Sequence, residues 1–202
     1  LSIHSAFVQY HTQIGQHWYE KLSSNLDEEE AITPNKEMAT KALNHFEQVA
    51  AIGLIEPDFL KMQMASLYLV FDRTEDARNQ LERLTEDPRA NLKAHYRLAI
   101  LESKENNLEA ASTHFNQVIE AEPTDPEEYF MKSASLVRMA ELAQNKNDEK
   151  RAVTLLIAAT EAYNQNMEAW VALASHYVRT NDSERAIKSL EKVLALDAES
   201  AL

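Results

Sequence analysis

The sequence predicts an all-α protein, an α-solenoid of about five antiparallel helix pairs. Three observations carry this. Two glycines, Gly15 and Gly53, and five prolines are the only strong breakers in 202 residues of which 45% are hydrophobic, a composition of helices joined by short turns rather than of sheets. An alanine followed four residues later by a large apolar side chain recurs at Ala42/Phe46, Ala77/Leu81, Ala111/Phe115, Ala152/Leu156 and Ala186/Leu190, with separations of 35, 34, 41 and 34. A fixed period near 34 signals a stack of two-helix units. Each such segment follows another whose apolar residues lie three and four apart, the spacing of one buried helical face.

The pairs follow in chain order. Residues 1–57 form a divergent first pair: SIHSAFVQYHTQIGQHWYEKL, an acidic loop SSNLDEEEAITPN (23–35), and KALNHFEQVAAIG. The loop is long for packed helices, where about 2–8 residues are usual. Phe7, Tyr10, Ile14 and Trp18 lie at helical spacing and are expected to pack on Phe46, with Tyr19 off the stripe. The next pairs occupy 58–91, 92–125, 126–166 and 167–200. Helix-start signals precede them or divide them: Thr33-Pro34, Asp87-Pro88, Asp125-Pro126 and Asn181-Asp182-Ser183, short acceptor side chains that satisfy free N–H groups, often before a proline that needs no partner. The 41-residue spacing before Ala152 exceeds the period by seven residues, almost two helical turns. It predicts a helix from Pro126 to about Asn145 that projects beyond its neighbours.

Composition also bears on function. No cysteine is present, which removes disulfides, thiolate metal sites and cysteine nucleophiles. A formal charge of −13 repels nucleic-acid phosphates and anionic headgroups. No apolar run approaches the roughly 20 residues of a membrane span, and the first 20 residues lack a signal-peptide core. The chain starts without methionine, which fits a fragment of a larger or membrane-anchored protein, and the sequence leaves the compartment, cytoplasmic or periplasmic, open. His4 and His11 are two turns apart, too wide for one ion, and no metal or cofactor is expected. Glu28-Glu29-Glu30 and Glu127-Glu128 read as solvated charge. Without a phosphate loop or nucleophile elbow the sequence predicts no enzyme.

The residues resemble the tetratricopeptide repeat family. The last repeat supplies Trp170, Leu173, Ala174 and Tyr177 in its first helix and Ala186, Leu190 and Val193 in its second; earlier repeats supply Met64, Ala65, Tyr68, Leu98, Ala99, Met139 and Ala140. Ala65, Ala99, Ala140 and Ala174 mark where partner helices come close. The resemblance implies that the solenoid is right-handed and acts as a non-catalytic protein-interaction scaffold whose first helices line a concave groove. Lys93, Arg97 and Lys104 lie near one face of one helix. By the resemblance, Lys93, Tyr96, Arg97, Ile100 and Lys104 line the groove, with Phe59, Met62 and Gln63 before them and Phe130, Val137, Arg138, Val171 and Arg179 after. Such cations beside apolar groups suit a peptide with an acidic group or C-terminal carboxylate; the alternative is that they balance acidic neighbours. Lys93 and Arg97 match two of the five positions by which chaperone-binding members clamp an acidic C-terminus. The stretched penultimate repeat is similar to cytochrome-biogenesis members, which implies an envelope-assembly alternative. Val193, Leu194 and Leu196 form an end surface with no following helix, so the expectation is either that the sequence is cut from a longer protein or that this end pairs with another copy in a homo-oligomer.

Overall fold

The computed structural model describes residues 3–24, 32–52, 57–88 and 90–200. Among them are ten α-helices and no strand, the all-α solenoid expected. They fall into two compact units, 1–90 and 91–202.

The first unit holds α1 (Ile3–Ser24), α2 (Ile32–Ala50), α3 (Asp58–Val70) and α4 (Thr74–Thr85). Here α1 packs on α2, α2 on α3 and α3 on α4. Residues 25–31, with the centre of the acidic loop and Glu28-Glu29-Glu30, lie outside the described residues. The second unit holds α5 (Asn91–Lys104), α6 (Leu108–Glu120), α7 (Pro126–Asn145), α8 (Glu149–Ala162), α9 (Met167–Arg179) and α10 (Ser183–Ser200). Its strongest packing is within the pairs α5–α6, α7–α8 and α9–α10, with α6 also on α7 and α8 on α9.

Turns without glycine explain how two glycines suffice. Asp72, Asn106, Asn147 and Asn181 all have φ near +60°, the left-handed conformation that Asn and Asp tolerate best after glycine. Each ends the first helix of a pair, and the next residue's N–H closes on a carbonyl five residues back: Arg73 to Tyr68 at 2.9 Å, Asn107 to Glu102 at 2.8 Å, Asp148 to Ala143 at 2.9 Å and Asp182 to Tyr177 at 2.8 Å. This Schellman-type closure satisfies carbonyls that the helix end leaves open.

Helix starts divide the predicted signals. Asp125 accepts from the Glu128 N–H at 2.9 Å and Asp182 from the Arg185 N–H at 3.2 Å, both as N-caps. Asp87-Pro88 is not a helix start, since α5 begins three residues beyond the proline, and α2 begins at Ile32, before Thr33-Pro34.

Helix α7 has 20 residues against 14 in α5 and 13 in α9. The added length lies on its N-terminal side: Ala111 and Ala140 are 29 residues apart where the corresponding alanines elsewhere are 22 or 23 apart. These turns do not project as a bare rod. Met131 is buried with Leu92 and Val118, and the Glu128 carboxylate accepts from the Thr124 N–H at 2.7 Å and hydroxyl at 2.8 Å. Lys132 donates to the Ala121 carbonyl at 2.9 Å. The fully buried Ser133 donates to the Ala159 carbonyl at 2.7 Å and accepts from Asn166 at 2.9 Å, while Asn166 caps α9. Each of these buried polar groups around α7 thus has a partner, the condition for burying it without a large cost.

The first pair corrects one expectation. Phe7 and Tyr10 are exposed rather than packed on Phe46. The α1 face toward α2 instead carries buried His11, Gly15 and Leu22, and Gly15 sits against the Phe46 ring.

Candidate functional site

The predicted groove residues divide between the units. On α3, Phe59 is exposed while Met62 and Gln63 are half-buried. The others lie in the second unit, on the first helices α5, α7 and α9, where α7 packs on both α5 and α9.

Three of the cations there already hold carboxylates. Lys93 Nζ lies 3.0 Å from Asp125 and 2.6 Å from Glu127. Arg138 lies 2.9 Å from Glu141 and 2.8 Å from Glu168, and Arg179 pairs with Glu149. Apart from Arg138–Glu141, which lies within α7, each bridge reaches another helix or its cap: α5 to the start of α7, α7 to the start of α9, and α9 to the start of α8. Of these acids, Glu127, Glu168 and Glu149 sit in first helical turns and Asp125 at a cap, where negative charge is favoured by the helix dipole. The lysine ammonium is held above its usual range chiefly by the hydrogen bond to Glu127. The Asp125 carboxyl is held below its range chiefly by the Glu128 N–H, then by Lys93. Of the two roles left open for the cations, balancing acidic neighbours is what the geometry of Lys93, Arg138 and Arg179 favours.

The other predicted positions are dispersed. Val137 is a correction: it is buried in the core with Leu136, Ala140 and Leu173 and lines no surface. Tyr96 and Ile100 are partly buried against the Ala99–Phe115 cluster. Arg97 is half-buried and Lys104 exposed at the end of α5. Phe130 is exposed, edge-on to Tyr163 with ring centroids 6.1 Å apart, and Val171 is exposed. Leu196 is buried and Val193 partly so; among the three predicted end residues only Leu194 is exposed.

A cleft of about 330 Å³ opens between α7 and α9 over α8, lined by Glu141, Gln144, Leu156, Ala172, Ser175, His176 and Arg179. Its apolar floor and polar rim suit a single side chain of a partner. The sequence reading missed it because its lining comes from three helices.

Histidines meet in pairs inside helix hairpins. His11 and His45 join α1 to α2 with Nδ1 atoms 2.8 Å apart, and His95 and His114 join α5 to α6 at 3.0 Å. One ring must donate and the other accept, so the contact needs at least one neutral ring. Burial, then the facing histidine, lowers the pKa of His45 and of His95; burial, then Arg179, lowers that of His176 against the pull of Glu149. A histidine with a depressed folded pKa binds fewer protons than in the unfolded chain. Stability is therefore highest above the unfolded value, near 6.5, and falls as pH drops through the window below it. Urea midpoints measured from pH 7.5 to 5 are expected to decline, and His95→Gln to flatten part of that decline in the second unit. Among the described residues no cluster of three metal-ligating side chains exists, and no helix is long and apolar enough to cross a membrane.

Residues 73–136 and 137–201 match two family models described as tetratricopeptide repeat. No curated protein sequence matches the chain. Similar solved structures include a MamA protein, 11% identical over 98% of this chain and 95% of that one with a TM-score of 0.63. The apo form of the quorum sensor NprR from B. thuringiensis is 12% identical over 80% of this chain and 50% of that one, with a TM-score of 0.64. Kinesin light chain TPR-like repeats from Podosopora anserina are 16% identical over 99% of both chains, with a TM-score of 0.60. At these identities the likeness is one of fold.

Proposed function

The chain belongs to the tetratricopeptide repeat family, and from that premise we propose that it is a non-catalytic scaffold that docks a peptide or partner helix on the first-helix face of its second unit. The observation that carries this reading is the cleft lined by Glu141, Gln144, Leu156, Ala172, Ser175 and Arg179, beside exposed Val171 on α9. Affinity comes from an apolar side chain seated over Leu156 and Ala172. Orientation comes from the rim, because Lys93, Arg138 and Arg179 have their charge engaged by carboxylates of the chain. An acidic partner group would have to displace them.

The test is selection of a displayed peptide library on the immobilised chain. Ser175→Trp fills the cleft from an exposed position and is expected to abolish recovery of the selected peptides while leaving the melting temperature unchanged. Peptides that bind this variant equally well would place docking elsewhere. Lys93→Glu is the poorer probe, since it sets a third carboxylate beside Asp125 and Glu127 and lowers stability along with any binding.

A further inference from the structure

Four of the chain's seven histidines fall into two pairs at the same place in the repeat. Gly15 stands toward Phe46 as Ala99 does toward Phe115, which sets the α1–α2 and α5–α6 hairpins in a common register. His11 and His95 then both lie four residues before the small residue, and His45 and His114 both lie one before the large one. The hairpin itself does not require histidine there. In α7–α8 the same two positions hold Leu136 and Leu155, which belong to one apolar cluster, and in α3–α4 they hold Lys61 and Gln80. Two imidazoles forgo much of the apolar burial that two leucines gain, so the repeated choice calls for a reason outside packing. A reading along single helices weighs His4 with His11 and misses these pairs, whose members stand 34 and 19 residues apart on different helices.

Across each hairpin the two Nδ1 atoms face each other, 2.8 Å apart for His11–His45 and 3.0 Å for His95–His114. Two ligands in adjacent positions of a square or octahedral ion, each about 2.0 Å from it, stand about 2.8 Å apart; in a tetrahedral zinc site they stand about 3.3 Å apart. The spacing therefore fits a tetragonal ion better than zinc. The ring planes are inclined at 40° and 34°, and the histidine χ2 torsion is broad, so a small turn of each ring brings both lone pairs onto one ion. His45, His95 and His114 are half-buried, which leaves one side open for water in the ion's remaining positions. With no cysteine in the chain, imidazole is the strongest ligand on offer, and copper(II) heads the affinity order of such sites. The formal charge of −13 raises the local concentration of any cation. We propose that each histidine pair is a copper(II) site with two Nδ1 ligands, tying the first helix of its hairpin to the second. Both rings bind as the Nε2–H tautomer: the proton between the Nδ1 atoms moves to Nε2, and a neutral pair releases none. Two protein ligands make these open, exchangeable sites rather than closed structural ones.

Calorimetric titration of the metal-free chain with copper(II) in a non-coordinating buffer tests this. The number of ions bound is expected to fall by one in His45→Gln, by one in His114→Gln and by two in the double variant, each lost site being weakened about tenfold or more. Electron paramagnetic resonance of the copper-loaded chain is expected to show two nitrogen donors on each of these ions. Should a glutamine variant lose its helical circular dichroism, a gained site serves instead. Lys61→His with Gln80→His, both at half-buried polar positions, sets the same pair in α3–α4 and is expected to add one ion to the count. Copper binding that is undiminished in the double glutamine variant is adventitious and overturns the proposal. So does a chain that takes up no copper, a spectrum with a single nitrogen per ion, or a count that the added pair leaves unchanged.

Discussion

Leu156→Ala is expected to lower the unfolding free energy of the second unit by about 2–5 kcal/mol, whereas Leu190→Ala, the same truncation at the same repeat position, shifts it by no more than about 1 kcal/mol. Leu156 is enclosed by Leu136, Val137, Ala159, Ala169 and Leu173, so removing its isobutyl group leaves a cavity that close-packed neighbours fill only in part. Leu190 has almost half its surface in water, and alanine there forfeits little burial and gains helix propensity. Urea unfolding followed by circular dichroism, at a concentration where the chain is monomeric, measures both. Equal losses would mean that α10 is covered in solution as α8 is.

This pair of residues also shows where sequence ceases to inform. The alanine and large-residue period located every second helix from α2 to α10, because helix contact demands a small and a large side chain at fixed spacing whatever the neighbours are. The seven-residue excess before Ala152 gave the bounds of α7, since an insertion of about two turns keeps the buried face in phase. Burial, however, depends on what lies opposite, and Leu156 and Leu190 are identical in type and register. The cations show the same limit. Lys93 was read with its own helix, but Glu127 that neutralises it stands 34 residues on, one repeat period, and Glu168 stands 30 beyond Arg138. An acid one period downstream of a cation was a usable signal, because neighbouring repeats bring such residues side by side. The α1 stripe was assigned to Phe46 because periodicity fixes a face but not its partner; Gly15, the one small residue at the register of Ala99, was the sign that the contact lay on the opposite side.

Gly15→Ala supplies the second large effect, and its sign is the informative part. In a helix interior, alanine is favoured over glycine by about 1 kcal/mol, so a glycine in the middle of 22-residue α1 invites replacement. A Cβ at Gly15 would lie 2.4 and 2.6 Å from two ring carbons of Phe46 and 3.2 Å from the His45 Cβ. The Phe46 ring is fully buried and has no free volume into which to withdraw, so α1 must move away from α2, loosening the His11–His45 contact as well. Overpacking of this kind costs about 1–3 kcal/mol, and Gly15→Ala is therefore expected to destabilise the first unit despite the gain in propensity. A thermal melt that rises would show that the helices separate freely. The cause is isolated by adding Phe46→Leu: leucine removes the ring edge that the new methyl strikes, so the double variant is expected to lose less than the sum of the single losses. An additive result would place the strain of Gly15→Ala somewhere other than the α1–α2 contact.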